Sequence, residues 1–419
     1  MKTTATAARA RILATLTLGY AGYYVCRSNL SVTSNLIVAD PASGVASKAD
    51  FGTIASTAIF AYAVGKFTTG FAADFLGGKR LFVLAMFGSI AATVAFGSAS
   101  GLAVFVAIWS ANRFVQSAGW GAAVRIASQW FPRSLYGRAM AVLAQSYLFG
   151  DVVARLLLGQ LVELGLSWRQ VYFAAAAVLV LASILAMVVL EERPEDAGQP
   201  PLAVEDTGTG VFEEDDGHGL WFHLGPFLKS GAFWLVCAMS FGLTLVRETL
   251  NLWSPDYLKT VCGMSPAVAA KWSAVFPFFG GLSVLVTGAL TDRLGGRRGG
   301  IMVAFLIPVG IGLVGMGYAR VPWLALPMLA LTGFAIMGPY AFLSGALSLD
   351  LGSRRGSATA AGLIDGVGYL AAVLSGRAVG QLVERHGWGV ALYALSGIAA
   401  FAACAAIAYR VLVEGRPRR

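Results

Sequence analysis

The segment GFAADFLGGKR at residues 70–80 has a close copy, GALTDRLGGRR, at residues 288–298, an offset of 218 residues. A second pair of copies, GQLVE, stands at residues 159–163 and 380–384, an offset of 221, and a tryptophan follows each copy. Because the two offsets agree, we predict that the chain consists of two homologous halves. Internal repetition of this kind determines the architecture of a protein, so it is considered before any single motif.

Long apolar stretches fill the sequence between these segments. Of 419 residues, 57% are hydrophobic and 13% are charged, about half of the ~25% that soluble domains carry. Charge-free stretches such as 81–112 and 321–349 are long enough to cross ~30 Å of hydrocarbon at about 1.5 Å per residue. We therefore predict an all-α membrane protein with twelve transmembrane helices in two pseudo-symmetric six-helix halves. The predicted spans are 11–34, 51–73, 80–99, 102–130, 137–164, 169–190, 231–258, 264–291, 299–318, 321–349, 357–383 and 388–411.

The basic residues predict the orientation in the membrane. With both termini on one side, eighteen Lys and Arg residues fall in loops on that side and six on the other. The positive-inside rule then places both termini in the cytoplasm. These loops also account for most of the net charge of +9, so no nucleic-acid partner is needed to explain it. The short termini and the Ala-, Gly- and Arg-rich composition favour a bacterial inner (plasma) membrane.

The predicted domains follow from the repeat. Residues 1–190 form the N-terminal six-helix half and residues 230–419 the C-terminal half. Between them, residues 191–229 contain ten acidic residues together with Pro, Gly and Thr, which is typical of a flexible cytoplasmic linker. Since six is even, the halves form a parallel repeat, and such transporters bind substrate near the midplane where the halves meet. A monomer is expected because each half supplies part of one site.

Cysteine and histidine usage argues against metal or enzyme chemistry. The four cysteines are scattered without the spacing of a metal site, and the three histidines fall outside the predicted spans. We find no nucleophile–base pair and no GxxxxGK[ST] phosphate loop in the sequence. We therefore expect no metal, no cofactor and no enzymatic activity.

Ten charged residues lie inside the predicted spans and are the candidates for function. A charge at the centre of a membrane costs about 2.5–3.5 kcal/mol on insertion scales, so each must pair, line water or lie near an interface. Seven are cations and three are acids, and this excess of positive charge suits an anionic substrate. The ten are Arg27, Lys66, Arg113, Arg125, Arg155, Arg247, Arg377, Asp151, Glu248 and Asp365.

Arg27 lies in the segment GYAGYYVCRSNLSV, residues 19–32, and Arg247 follows 220 residues later. The first span of each half thus carries one arginine at an equivalent depth. We interpret the two arginines as a symmetric clamp for an anion, because guanidinium groups bind planar anions through paired hydrogen bonds.

Two groups of tyrosines accompany these cations. Tyr20, Tyr24 and Arg27 are spaced i, i+4, i+7 and share one helix face. Tyr62 and Lys66 are one turn apart on the second span. Tyrosine hydroxyls beside fixed cations suit a phosphate group, although aromatic residues at helical spacing are also common in helix packing.

The other charges have structural interpretations beside functional ones. Asp151 and Arg155 are spaced i, i+4 and can pair on one face as a structural, gating or substrate-contacting pair. Glu248 follows Arg247 directly, about 100° further around the helix, so the two are not expected to share a face. Asp365 lies among glycines and is assigned a structural or gating role.

Some residues are expected to be structural. Arg113 and Arg125 can bond facing helices, and Arg377 can reach the interface by snorkelling. The aspartates of the repeated loops, Asp74 and Asp292, are interpreted as conformational locks that hold neighbouring spans together on the cytoplasmic side.

The chain resembles a known family in several segments. The repeated loops are similar to the signature of the major facilitator superfamily. More narrowly, the chain resembles the organophosphate:inorganic phosphate antiporters, which include glycerol-3-phosphate, hexose-6-phosphate and glucose-6-phosphate transporters. The segments that carry the resemblance are GYAGYYVCRSNLSV, AYAVGKFTTGFAADFLGGKR, VQSAGWGAAVRIASQWF, VRETLNLWSPDYL and ATAAGLIDGVGYL.

This resemblance implies a rocker-switch antiporter that exchanges an organic phosphate for inorganic phosphate. The phosphate-binding arginines of the family fall on Arg27 and Arg247, and its second-span lysine falls on Lys66. Its tyrosines fall on Tyr20, Tyr24 and Tyr62. Tyr147 stands where some relatives have a binding histidine, and Tyr369 ends the last quoted segment but one residue; both are added as binding candidates.

Two alternatives remain open. One is a transporter-like membrane receptor that senses a sugar phosphate. The other is a proton-coupled carrier of another organic anion or a phosphonate, in which Asp151 or Asp365 would be the proton site.

Overall fold

The computed structural model describes residues 2–200, 229–293, 298–343, 347 and 362–414. Within these residues the secondary structure is helical, with short turns between helices and no strand. Eight helices are long and apolar enough to cross a membrane by length and composition. The prediction of an all-α membrane protein is therefore confirmed. Most of the acidic linker and several cytoplasmic loops, among them 294–297 and 348–361, lie outside the described residues.

Fourteen helices are numbered here in chain order within the described residues. The first seven are α1 (Lys2–Ala39), α2 (Lys48–Leu76), α3 (Gly78–Ser98), α4 (Leu102–Gln116), α5 (Ala118–Trp130), α6 (Arg133–Glu163) and α7 (Trp168–Val189). The others are α8 (Gly231–Cys262), α9 (Pro266–Trp272), α10 (Val275–Arg293), α11 (Arg298–Tyr318), α12 (Pro322–Leu343), α13 (362–372) and α14 (Arg377–Tyr409).

These helices correspond to the predicted spans, with breaks inside some of them. The fourth span is divided at Ser117 into α4 and α5, which have 15 and 13 residues, fewer than the ~20 that one crossing needs. The eighth span is likewise divided into α9 and α10. Conversely, α14 contains two spans, because its chain turns at Gly387, where φ is 78° and ψ is 172°.

The chain forms two compact units. Unit 1 contains the described residues within Met1–Ala46, Thr57–Glu213 and Pro266–Lys271, and unit 2 those within Ser47–Ser56, Glu214–Ser265 and Trp272–Arg419. Each unit therefore includes one short segment from the other half of the sequence. The domain boundaries at residues 190 and 230 stay a prediction.

Small residues and polar contacts hold the helices of unit 1 together. The first helix, α1, packs against α6 and α7. A Cβ on Gly150 of α6 would stand 3.0 Å from the Cα of Ala21 in α1, so the two backbones approach closely, as is usual between membrane helices. The hydroxyl of Tyr23 donates to the carbonyl oxygen of Phe82 in α3 at 2.7 Å.

Unit 2 uses the same devices. The helix α8 packs against α12 and α14. A Cβ on Gly368 of α13 would stand 2.5 Å from the hydroxyl oxygen of Thr244 in α8. Close by, the hydroxyl of Ser240 donates to the carbonyl oxygen of Ile364 at 2.9 Å. Glycine at such a position permits a short distance between helices, and the hydroxyl then bonds across it.

In unit 1, the repeated GQLVE segment at 159–163 receives the segment Pro266–Lys271. A Cβ on Gly159 would stand 3.1 Å from the backbone nitrogen of Lys271. The ammonium group of Lys271 donates to Gln160 Oε1 at 2.8 Å and forms an ion pair with Glu163. Three of the five repeated residues thus contact a single segment.

In unit 2, the second copy at 380–384 receives the start of α2 in a similar way. A Cβ on Gly380 would stand 2.7 Å from the carbonyl oxygen of Lys48. Glu384 Oε1 accepts a hydrogen bond from the backbone nitrogen of Lys48 at 2.5 Å, and the ammonium group of Lys48 pairs with Asp256 at 2.6 Å. The repeated motif is therefore a place where the first turn of a helix packs, and this explains its glycine and its glutamate.

The tryptophans that follow the two motifs also have matching contacts. The indole nitrogen of Trp168 donates to Asp40 Oδ2 at 2.9 Å, and that of Trp388 donates to Asp256 Oδ2 at 3.1 Å. The hydrogen bond from Trp168 lowers the pKa of Asp40, which lies in the loop after α1. An indole nitrogen finds a carboxylate in both units, so the repeat extends from sequence to local structure.

We expect that Gly380→Ala lowers the melting temperature of the purified full-length protein in detergent. The added methyl group would meet backbone atoms of Lys48, and overpacking of this kind costs about 1–3 kcal/mol. Gly397→Ala is the matched control, because no atom lies within 4 Å of its added Cβ; alanine there is expected to be neutral or stabilising by about 0.5–1 kcal/mol. Equal melting temperatures for the two variants would contradict this account of the motif.

Candidate functional site

Arg27 is oriented by neutral hydrogen-bonding partners inside unit 1. Its Nε donates to Gln116 Oε1 at 3.1 Å, and one terminal nitrogen donates to the hydroxyl of Tyr24 at 3.0 Å. The guanidinium carbon lies 4.7 Å from the centroid of the Tyr24 ring and 5.0 Å from that of Tyr62. The half-buried guanidinium is thus held between two rings, with its charge retained rather than neutralised by these contacts.

Gln116 is itself held in place by a buried polar network. Its Nε2 donates to the hydroxyl of Ser89 at 2.9 Å and to Asn112 Oδ1 at 3.1 Å. The hydroxyl of Ser89 donates to the same oxygen of Asn112 at 2.8 Å. All three side chains are buried, so the amide oxygen that meets Arg27 has a defined position. The sequence analysis missed Gln116, although it lies in the quoted segment VQSAGWGAAVRIASQWF.

Three cations from three different helices surround the ring of Tyr62. The guanidinium carbon of Arg27 lies 5.0 Å from the ring centroid, that of Arg113 lies 4.8 Å away, and Lys66 Nζ lies 5.6 Å away. A ring face attracts cations at these distances through its quadrupole. The structure thus brings Arg113, which was expected to bond a facing helix, into the same cluster as the candidate binding residues.

Aromatic rings form a wall beside this cluster. The ring of Tyr24 lies 5.9 Å from that of Tyr20 and 6.4 Å from that of Tyr147. Trp120 closes the group, at 5.3 Å from Tyr20 and 6.1 Å from Tyr147. These are distances at which aromatic pairs attract each other. The predicted tyrosines of the first and fifth spans therefore do come together, and Trp120 is an additional member.

Asp151 and Arg155 form the pair that their spacing predicts. Arg155 Nε donates to Asp151 Oδ2 at 3.0 Å, and both residues are buried. The other oxygen, Asp151 Oδ1, accepts a hydrogen bond from the hydroxyl of Ser28, the neighbour of Arg27. Both carboxylate oxygens are thus engaged, which links α6 to α1.

In unit 2, Arg247 has an aromatic and an acidic neighbour. Its guanidinium carbon lies 3.9 Å from the centroid of the Tyr340 ring. A terminal nitrogen donates to Glu248 Oε1 at 2.5 Å. The expectation that these adjacent residues do not meet was wrong, because two long side chains can bend toward each other although their Cβ atoms point apart. Burial favours such pairing, since an isolated buried charge is costly.

Asp365 and Tyr369 lie near Tyr340. Both exert an electrostatic influence on Tyr340, as does Glu248. Tyr369 is buried, while Asp365 is half-buried. Unit 2 therefore gathers Arg247, Tyr340, Tyr369 and two acids into one cluster, in which Tyr340 was not foreseen from the sequence.

The remaining candidate charges lie apart from these clusters. Arg125 Nε pairs with Glu192 Oε1 at 3.4 Å near the start of α3. Arg377 donates through its backbone nitrogen to the hydroxyl of Ser56 at 2.9 Å. Asp74 and Asp292 belong to α2 and α10, but their side chains lie outside those that the structure describes. Across the described residues, no group of three or more His, Cys, Asp or Glu side chains is placed to hold a metal ion.

Comparisons with known proteins agree with this arrangement. The family model described as Major Facilitator Superfamily matches residues 16–376. The fold is similar to the crystal structure of a bacterial homologue of the human lysosomal transporter Spinster, with a TM-score of 0.76, 16% identity and 98% of each chain covered. It is also similar to a D-xylose–proton symporter, with a TM-score of 0.73, 14% identity and 95% and 96% of the two chains covered. The twelve-helix, two-domain architecture is therefore confirmed.

Relatives by sequence are more specific. The chain is 25% identical to a probable hexose phosphate transport protein of Chlamydia trachomatis, over 91% of this chain and 86% of the relative. It is 26% identical to the membrane sensor protein UhpC of Salmonella typhimurium, over 94% and 89%. It is 25% identical to the glycerol-3-phosphate transporter of Bacillus subtilis, over 91% and 87%. The resemblance to the organophosphate:inorganic phosphate antiporter family is thus confirmed.

We expect that Asp151→Ala destabilises the protein by about 3–5 kcal/mol, because the buried guanidinium of Arg155 loses its countercharge. The double variant Asp151→Leu, Arg155→Met removes both charges and is expected to recover most of this loss. Thermal unfolding of the purified protein in detergent measures both effects. If Asp151→Ala unfolds at the same temperature as the unmodified protein, the pair has no structural role.

Proposed function

The chain belongs to the major facilitator superfamily, and on that basis we propose that it exchanges an organic phosphate ester for inorganic phosphate across a membrane. One observation carries this proposal: Arg27, Lys66 and Arg113 converge on a single tyrosine ring within the helices of unit 1. Three cations that share one small region repel each other, and their retention in a membrane protein requires a function. Binding of a multiply charged anion such as phosphate provides it.

The chemistry of the side chains supports phosphate over other anions. Arg27 presents a planar guanidinium whose orientation is fixed by Gln116 and Tyr24. Such a group forms paired hydrogen bonds with phosphate oxygens. Lys66 supplies a point charge, and tyrosine hydroxyls supply neutral donors. The sugar phosphate and glycerol phosphate specificities named for the relatives support the same substrate class.

We assign roles to the candidates accordingly. Arg27 and Arg247, one in the first span of each half, bind the phosphate group. Lys66 and Tyr62 complete the phosphate end, and the organic part contacts the residues Tyr20, Tyr24, Tyr147 and Tyr369. The gating or structural charges are Asp74, Asp292, Asp151, Arg155, Arg125 and Asp365.

The proposed cycle depends on electrostatics. Without substrate, the positive charges of the site oppose its closure. A bound phosphate removes this repulsion, so the rocker-switch transition becomes favourable only with substrate in place. The carrier then returns only with another phosphate, which makes exchange obligatory. A downhill flow of inorganic phosphate can drive organophosphate transport, with no need for ATP.

The membrane context follows from the same proposal. The chain is a multi-pass integral membrane protein that acts as a monomer, with both termini in the cytoplasm of a bacterial cell. Its partners are the lipid bilayer, the organophosphate and inorganic phosphate, with no nucleic acid and no cofactor.

A membrane receptor is the second candidate, because a relative of similar identity is named a membrane sensor protein. A receptor would use the same site to bind a sugar phosphate without appreciable transport. A proton-coupled carrier is a third candidate, in which Asp151 or Asp365 carries the proton. The engagement of both Asp151 oxygens by Ser28 and Arg155 disfavours Asp151 for this role.

We expect that the purified protein in vesicles loaded with labelled phosphate exchanges it for external phosphate and for a subset of organic phosphates. Arg27→Lys and Arg247→Lys are each expected to lower apparent affinity about 10- to 100-fold, since each loses a charge-assisted hydrogen bond worth about 1.5–3 kcal/mol. Arg385→Lys is the control, because Arg385 is exposed and lies beyond the eleventh span.

The outcomes separate the candidates. Exchange that is absent in folded protein, combined with ligand binding that both arginine variants weaken, would replace the antiporter with the receptor. Uptake that follows an imposed pH gradient and ignores internal phosphate would replace it with the proton-coupled carrier.

A further inference from the structure

We infer that Arg113 is a substrate-binding residue and that the transported organic phosphate carries a second anionic group near its phosphate. This inference rests on the proposed function and concerns the same site. Its basis is the position of Arg113, which was expected to be structural and instead lies against the ring of Tyr62 with Arg27 and Lys66.

The geometry places Arg113 within reach of a ligand held by Arg27. The two guanidinium carbons lie 5.0 and 4.8 Å from one ring centroid, so they are less than about 10 Å apart and within one Debye length. Lys66 Nζ lies 5.6 Å from the same centroid. A small molecule that touches the edge of this ring can therefore contact more than one of these cations.

Charge matching argues for a second anionic group. A phosphate ester carries about 1.5–2 negative charges at neutral pH. Arg27 and Arg247, together with Lys66, already supply three positive charges to the proposed phosphate end. Arg113 adds a fourth, and its guanidinium is suited to a bidentate bond with a carboxylate or a second phosphoryl group.

The acids nearest in the chain do not account for the charge of Arg113. In unit 1, the carboxylate of Asp151 binds Arg155 and Ser28, and Glu192 binds Arg125 and the start of α3. The bland alternative is a packing role: Arg113 lies in the last turn of α4, where a cation is favoured by the carbonyl ends of the helix. A packing role would affect all ligands equally, whereas a binding role would not.

The test compares ligands that differ by one anionic group. Glycerol 3-phosphate and 3-phosphoglycerate differ only in a hydroxymethyl group against a carboxylate; fructose 6-phosphate and fructose 1,6-bisphosphate differ by a second phosphoryl group. Binding of each to the purified full-length protein in detergent is measured by calorimetry, and competition with phosphate exchange is measured in vesicles. We expect the protein to bind at least one dianionic-group ligand about tenfold or more tightly than its single-group counterpart, since charge-assisted bidentate bonds are strong.

Arg113→Gln is expected to abolish this preference while it changes the affinity for inorganic phosphate less than about threefold, because phosphate lacks a second group to lose. Arg113→Lys keeps the charge without the bidentate geometry and is expected to retain part of the preference. Arg385→Gln, which removes an exposed charge, is expected to leave the preference unchanged.

Three results would overturn the inference: no preference in the unmodified protein, a preference that survives in Arg113→Gln, or an equal loss for every ligand including inorganic phosphate. The ligand pair that shows the preference distinguishes a carboxylate from a phosphoryl group. The proposed function is judged separately, by whether the unmodified protein exchanges phosphate in vesicles. Ligand binding in detergent remains a measure of the role of Arg113 even if no exchange occurs.

Discussion

A cation inside a membrane-spanning helix has to be enclosed by other helices, and the arrangement of unit 1 depends on this requirement. Exposure of such a group to lipid is costly, and water is not available in the hydrocarbon region to compensate it. Arg27 meets the requirement through Gln116, Tyr24 and Tyr62, which come from α4, α1 and α2. The partners of one guanidinium thus lie on three helices, and these helices must pack close to one another to provide them.

The same requirement distinguishes two kinds of buried charge in this protein. Arg155 is neutralised by Asp151 on its own helix, and Arg247 meets Glu248 in the same way. Arg27, Lys66 and Arg113 are instead gathered on an aromatic ring, which attracts cations without removing their charge. A paired charge contributes to stability and helix orientation, whereas charges kept on a ring remain able to bind an anion. This difference is the physical basis for assigning function to one group and structure to the other.

Sequence reasoning succeeded where contacts are local along a helix. The spacing of Tyr20, Tyr24 and Arg27, and that of Asp151 and Arg155, was sufficient to place each set on one face, and the structure shows both sets in contact. It failed for Glu248, because the ends of long side chains are less constrained than their Cβ directions. It also missed Gln116, Trp120 and Tyr340, whose partners are far away in the sequence and are found only when helices pack.

The sequence by itself determined the membrane class, the twofold repeat, the helical segments and the set of buried charges, since these follow from composition and from periodicity along the chain. It also marked GQLVE as a repeated motif. Only the tertiary structure decided which residues that motif contacts and that Arg113 joins Arg27 and Lys66 at Tyr62. The physical reason is that a membrane helix is apolar on most of its surface, so its sequence specifies weakly which face meets a neighbour. Close approach at small residues and hydrogen bonds between helices fix that choice.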